Sequence, residues 1–209
     1  IGLFAIAYQL ADQVTLTSVA ALGQLAAVVF CATAFHGLVV LPAIAWWASG
    51  LPPWKFFSAI GQPLVTALST SSSAATLPLS MTTAETKLGV DASKCAFVLP
   101  LGATANMDGT ALFEGVAAVF LAYMFGVDLG TIGIVAIFLV TILSSIGAPG
   151  IPSGSMAGMQ MVLLAAGIPL EAIGLLLLIE RPLDTFRTAV NVEGDLVGCM
   201  VAQRFTKTG

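Results

Sequence analysis

Residues 180–195, reading ERPLDTFRTAVNVEGD, constrain this chain more than any other stretch. They lie between GLLLLI (174–179) and LVGCMVA (196–202), so six charged side chains stand within sixteen residues of an otherwise apolar segment. A charge inside a membrane span costs roughly 2.5–3.5 kcal/mol even on lenient insertion scales, and groups kept at that cost usually carry function. At about 100° per residue, Glu180, Asp184, Arg187, Asn191 and Asp195 fall on one helical face, with Thr188 at its border and Glu193 opposite Asp184. One polar stripe on an otherwise greasy helix is expected to line a protein-enclosed cavity and not to face lipid.

Composition sets the solvent. The chain is 58% hydrophobic and 9% charged, against about 25% charge for a soluble domain, so it cannot cover a surface with polar groups. It is expected to be an all-α, multi-pass integral membrane protein. Seven scattered basic residues leave no nucleic-acid footprint. Cys31, Cys95 and Cys199 lie in or beside apolar segments and read as small packing residues, with no metal or cofactor implied. The chain begins at Ile1 without a signal-peptide pattern, so further membrane segments are expected to precede it.

Taken in order, six segments emerge. Residues 1–12 read as the end of a preceding scaffold helix, and 13–50 as a membrane-spanning helix containing His36, taken as a hydrogen-bonded packing residue. Residues 51–92 hold two arms around the serine run Ser71, Ser72, Ser73, whose hydroxyls compete for backbone hydrogen bonds. Neither arm comfortably crosses ~30 Å at ~1.5 Å per residue, so a re-entrant hairpin is expected. Residues 93–127 form a span interrupted at GATANMDGT (102–110), where Gly109 is expected to make unwinding cheap and to turn Asn106 and Asp108 toward one site. Residues 128–168 form a second hairpin, whose apolar arms of about 131–144 and 156–166 flank SIGAPGIPSGS (145–155). Residues 169–209 are the last span, which carries the stripe.

Hairpin plus polar-cored helix thus occurs twice, with opposite orientation, an arrangement found in secondary transporters. Loop charge agrees. Lys55, Lys87, Lys94, Arg204 and Lys207 fall on one side and Asp12, Asp128 and Glu171 on the other if the spans alternate in this way. The positive-inside rule then makes the lysine- and arginine-rich side, and the C-terminus, cytoplasmic.

Four motifs converge: Ser71-Ser-Ser73 with Thr76-Leu-Pro78; Asn106-Met-Asp-Gly-Thr110; Ser145-Ile-Gly-Ala-Pro-Gly-Ile-Pro152; and Asp184-x-x-Arg-Thr-x-x-Asn-Val-x-Gly-Asp195. Over essentially the whole chain they resemble the glutamate/aspartate–sodium symporter family, which contains the excitatory amino-acid transporters and archaeal aspartate transporters. The resemblance implies an elevator-type carrier, usually a homotrimer in the cell membrane, whose mobile domain is built from inverted repeats of hairpin and broken helix. It implies that Arg187, helped by Thr110, holds the substrate side-chain carboxylate, that Asp184 holds its ammonium, and that Asn191 with Ser71, Ser72 and Ser73 holds the α-carboxylate. Thr188 would border this site, and the second hairpin, around Ile151 and Gly154, would gate it. Sodium would be held by Asn106, Asp108 and Asp195, and by backbone near Gly102, Thr104, Asn191, Ser145, Ile146 and Ala148.

Elementary chemistry points the same way. A planar guanidinium matches a carboxylate bidentately, so Arg187 argues for a dicarboxylic substrate. Asp184 beside it requires a cation, which favours an acidic amino acid over a succinate-like acid. Asp108 and Asp195 have no basic partner nearby in sequence, and their hard oxygens suit an alkali cation, so sodium would compensate their charge and couple to substrate. Some positions depart from the family pattern: serine stands at 71 and threonine at 185 where many relatives carry arginine, Arg181 lies one turn before Asp184, and Glu180 replaces a frequent aspartate. A proton-coupled glutamate or C4-dicarboxylate carrier, with Glu114 or His36 relaying protons, is the alternative of the same fold. An anion channel is opposed by hairpins that close on the site. An enzyme is opposed by serines that lack a positioned base, because His36 is the only histidine.

Overall fold

The computed structural model describes residues 16–206. The expected scaffold-helix end at 1–12, Asp12 and Lys207 lie outside the described residues. Helix α1 (Leu16–Phe35) runs through a π-helical turn (His36–Val40) into α2 (Leu41–Ser49), which ends on the left-handed Gly50 (φ 75°). Then come α3 (Pro53–Thr70), α4 (Ser73–Thr86), α5 (Ala92–Ala105), α6 (Asp108–Met124), α7 (Gly130–Gly147) and α8 (Ser155–Ala165). A short 3₁₀ turn (Leu170–Ala172) leads into the 34-residue α9 (Ile173–Thr206).

Helix α9 is the axis of the molecule and packs on α1, α2, α3, α4, α5, α6 and α8. Its middle is buried almost all round: Asp184, Arg187, Thr188 and then every residue from Val190 to Val197 lie in the interior. This corrects the picture of a single polar stripe on a greasy helix. Glu193, on the face opposite Asp184, is as enclosed as the stripe itself.

Two apolar cores flank this axis. One joins α1, α6, α7, α8 and the first half of α9 around Leu25, Phe113, Leu121, Met159 and Leu176. The other joins α2, α3, α5 and the second half of α9 around Phe56, Ile60, Leu99 and Leu196. The break between α5 and α6 and the middle of α9 fall where these cores meet.

Val19–Ser49, Ala92–Met124 and Gly130–Gly147 are long and apolar enough to cross a membrane. The last of these overturns one expectation. The first arm of the second hairpin was expected to stop near residue 144. It continues to Gly147 as an 18-residue helix of about 27 Å, so its length alone does not forbid a crossing. Ser144 and Ser145 sit in its final turn as buried residues and do not end it. Helix α3 runs unbroken from Pro53 to Thr70 with Pro63 inside it.

Both helix pairs turn back on themselves. Helices α3 and α4 are joined by Ser71 and Ser72 alone, with Ser71 left-handed (φ 49°). Helices α7 and α8 are joined by the seven residues 148–154. One end of the molecule gathers the basic loops. Lys94 donates to Gln203 (2.8 Å), Arg204 donates to the Ala48 carbonyl (3.3 Å) and lies over Trp47, and Lys55 is in the first turn of α3.

Candidate functional site

The site begins at the gap between α5 and α6. Asn106 (φ −107°, ψ 82°) and Met107 (φ −113°, ψ 58°) leave the helical region, and the helix restarts at Asp108. The unwinding therefore precedes Gly109, which was expected to cause it. Gly109 is helical and serves a different purpose. A Cβ there would stand 2.7 Å from the Arg187 carbonyl, so the glycine allows α6 to touch the backbone of α9. Its N–H, whose helical acceptor would be the Ala105 carbonyl, is taken by Asn191 Oδ1 (2.8 Å). The other end of that amide donates to Met107 Sδ and Thr110 Oγ1 (3.3 Å each). Asn191 is thus the side chain that holds the break open from α9.

Both hairpin tips arrive at the same gap. Ser72 caps α4, accepting from the Ala75 N–H (3.1 Å), and donates to the Gly150 carbonyl (2.8 Å). The Ala74 N–H donates to the same carbonyl (3.1 Å). Gly150 allows this approach: a Cβ there would lie 2.5 Å from the Ala103 carbonyl. From the second tip, the Ser153 N–H donates to Asp184 Oδ2 (3.0 Å) and its hydroxyl to Glu180 Oε2 (3.0 Å).

Between the tips, the gap and α9 lies a cavity of about 10 Å³, scarcely room for one water. Ser71, Ser73, Thr110, Ile151, Gly154, Asp184, Thr188 and Asn191 line it, eight of the ten residues expected to bind substrate. Ser72 stands beside it through Gly150. Arg187 does not line it. Its guanidinium, 1% exposed, binds Glu180 Oε1 and Asp184 Oδ1 (3.1 Å each) and stacks 3.9 Å over the Phe113 ring. Two of its nitrogens, Nε and Nη1, have no hydrogen-bond partner. Arg181, 61% exposed, approaches Asp184 at 3.6 Å.

Reasoning from sequence missed Met107, Pro149, Gly150 and Ser155 on the lining, and Ser153 on the acidic pair. The SIGAPGIPSG run signalled a tip, but nothing in it tells which peptide group meets which partner.

The residues expected to hold sodium divide. Asn106 Nδ2 donates to Asp195 Oδ1 (3.1 Å), and Gly102 is packed so close that a Cβ would lie 2.5 Å from that oxygen. Gly194 allows Asn106 and Asp108 to approach α9. Asp108 Oδ2 pairs with His36 Nε2 at 3.0 Å. Asp108 has no basic partner nearby in sequence, as expected, but His36, 72 positions away, is adjacent in space. Thr104 is exposed, and its hydroxyl donates to the Leu101 carbonyl (3.0 Å). Ser145 and Ala148 are buried at the end of α7, whereas Ile146 is about half exposed. Among the described residues no three or more His, Cys, Asp or Glu side chains cluster to hold a metal, so any ion here depends on amide and carbonyl oxygens as well as carboxylates.

Sequence comparison agrees with this geometry. A profile of the sodium:dicarboxylate symporter family matches residues 1–205. The chain is 44% identical to excitatory amino acid transporter 3 of Mus musculus over 186 residues, 89% of this chain and 36% of that protein. It is 43% identical to excitatory amino acid transporter 2 of Homo sapiens over 187 residues (90% and 33%), and 44% identical to neutral amino acid transporter B(0) of Mus musculus over 172 residues (82% and 31%). The chain therefore spans about a third of the length of these relatives. With two hairpin tips meeting at a broken helix, apolar helices able to cross a bilayer, and a profile match over nearly every residue, this is a membrane protein that belongs to the sodium:dicarboxylate symporter family.

Proposed function

We propose that this chain forms the substrate- and ion-binding part of a secondary transporter that carries acidic amino acids together with sodium. The observation that carries the reading is the cavity between the hairpin tips. Ser73, Asp108 and Ser155 begin α4, α6 and α8, so three helix N-termini, with their positive dipole ends, stand on or beside one small space. Such ends attract a carboxylate. Asp184 on the same wall supplies the opposite charge, as the ammonium of an amino acid requires.

A cavity of about 10 Å³ does not admit an amino acid, because ligand pockets run from roughly 300 Å³ upward. Binding therefore requires the second tip to withdraw. The substrate would exchange contacts with the protein. Its ammonium would replace the Ser153 N–H and the Arg187 guanidinium at Asp184. Its side-chain carboxylate would then take Arg187 Nη1, which has no hydrogen-bond partner, together with the Nη2 released by Asp184. Sodium at Asn106, Asp108 and Asp195, with nearby carbonyls, would offset their negative charge and favour the closed tip. Movement as an elevator, assembly as a homotrimer, re-entry of both hairpins from opposite sides, and a cytoplasmic C-terminus in the cell membrane complete the reading. The clustering of Lys94, Arg204 and Lys55 at one end supports that orientation.

The test is a binding titration of aspartate, glutamate, succinate and serine, with and without sodium, on the unmodified chain, R187C and D184N. Aspartate is expected to bind only with sodium. R187C should lose aspartate by more than a hundredfold and gain serine. D184N should lose aspartate more than succinate. Aspartate affinity retained in R187C, or equal losses in D184N, would overturn the assignments. A second reading, coupling to protons, is favoured by Glu114, which is wholly buried with neither carboxyl oxygen hydrogen-bonded. Uptake that follows a pH gradient without sodium, and fails in E114Q, would establish it instead.

A further inference from the structure

A second polar feature lies outside the transport site. Helices α1, α3 and α9 enclose a groove of about 270 Å³. Its walls are apolar except at two points, Thr33 and Glu193. Both are deeply buried, at 2% and 3% exposure, and Thr33 Oγ1 and Glu193 Oε1 have no hydrogen-bond partner. No Lys, Arg or His side chain among the described residues pairs with Glu193. The carboxyl is held against the π-helical turn, where residue 37 is glycine: a Cβ there would stand 3.2 Å from Glu193 Oε2 and 2.9 Å from Val190 Cγ2. Around it the wall is aromatic. Phe30 and Phe186 meet edge to face with centroids 5.1 Å apart, and Phe57 faces the same groove.

We propose that this groove binds a lipophilic amine, with its ammonium against Glu193 and Thr33 and its apolar body against the phenylalanine wall. Charge complementarity selects this occupant. An unpaired carboxylate in an apolar wall is costly, and a cation that enters with its own apolar body offsets that cost. An ammonium offers up to three N–H donors, enough for Glu193 and Thr33 together. Phenylalanine faces favour a cation and tolerate the hydrocarbon attached to it. One carboxylate and one hydroxyl are too few ligands for a bare metal ion. A phospholipid headgroup would bring a phosphate close to Glu193, like charge against like. The inference does not depend on what the molecule transports, since none of these groups lines the cavity between the hairpin tips.

The experiment uses the full chain in phosphatidylcholine nanodiscs, with 1-adamantylamine as probe and the uncharged 1-adamantanol as its control, followed by saturation-transfer NMR and calorimetry. The amine is expected to bind saturably, one per chain, at least tenfold more tightly than the alcohol. E193Q, which keeps the side-chain shape, should weaken the amine at least tenfold and leave the alcohol unchanged. T33V should weaken it less. L64W, which fills the groove, should weaken both probes. Equal binding of amine and alcohol, or amine binding indifferent to E193Q or to L64W, would overturn the proposal in favour of partition into lipid or a site elsewhere. Absence of saturable binding to the unmodified chain would also overturn it, the groove then being filled by protein or acyl chains. Because the readout is amine binding, failure here and failure of aspartate binding are separate results.

Discussion

The two hairpin tips do similar work with opposite construction. The first is two residues long, with Ser71 at 4% exposure, and is capped by its own serine. The second is seven residues long, and Ile151 at its crest is 56% exposed. The first tip is anchored by helix-capping geometry, which no ligand can replace. The second is anchored by hydrogen bonds from Ser153 to Asp184 and Glu180, and by the Gly150 carbonyl, all of which a charged solute could take over. On the proposed function, the difference points to the second tip as the one that opens, since its attachments resemble the groups of an amino acid.

The sharpest way to break this comparison is to deny the second tip its seat. G150A places a methyl 2.5 Å from the Ala103 carbonyl, a backbone atom that cannot swing aside. Overpacking of this kind costs about 1–3 kcal/mol. The expected result is up to roughly a hundredfold weaker aspartate binding by calorimetry, with the melting temperature nearly unchanged because the tip is already exposed. A large loss of thermal stability with intact binding would reverse the roles of the tips.

The next effect is on the first tip. S72A removes the cap of α4 and one of the two donors to Gly150. A lost cap costs about 1 kcal/mol, so thermal unfolding should fall first and binding less. The smallest effect is S71G. Ser71 holds a left-handed φ of 49° that glycine adopts freely, so the substitution is expected to raise stability by up to about 1 kcal/mol. A fall in stability would mean that the Ser71 hydroxyl has a larger structural part than its geometry suggests.

Much of this was legible in the sequence because it rests on local chemistry. Three consecutive serines at 71–73 disfavour an unbroken helix, and a run of glycine and proline at 148–154 does not readily continue one. The stripe of Asp184, Asn191 and Asp195 follows from the helical period. What was not legible depends on partners remote in the chain. The close approach of α6 to Arg187 explains Gly109, and the His36 contact with Asp108 joins residues 72 positions apart. Arm length misled for a physical reason: Ser144 and Ser145 carry the helix on to Gly147, and the Ser145 hydroxyl returns to the Ile142 carbonyl (3.0 Å). Arg187 was expected to face the cavity; it pairs instead with Glu180 and Asp184 and stacks over Phe113, 74 positions earlier on α6.

The π-helical turn at His36–Val40 has a consequence for both cores. Leu22, Leu25 and Val29 before it serve the first core, whereas Leu41, Ala45 and Ala48 after it serve the second. On an uninterrupted α-helix, at about 100° per residue, these two sets would point more than about 100° apart; the wider turn absorbs one residue and brings them to within about 50° of each other. A single continuous rod can thereby brace both halves of the molecule from one side, each core meeting it at a different height. Removing one residue from 36–40 would restore a regular α-helix with the same face inward, whereas removing two would turn the later set away by about 100° and leave the second half without its brace.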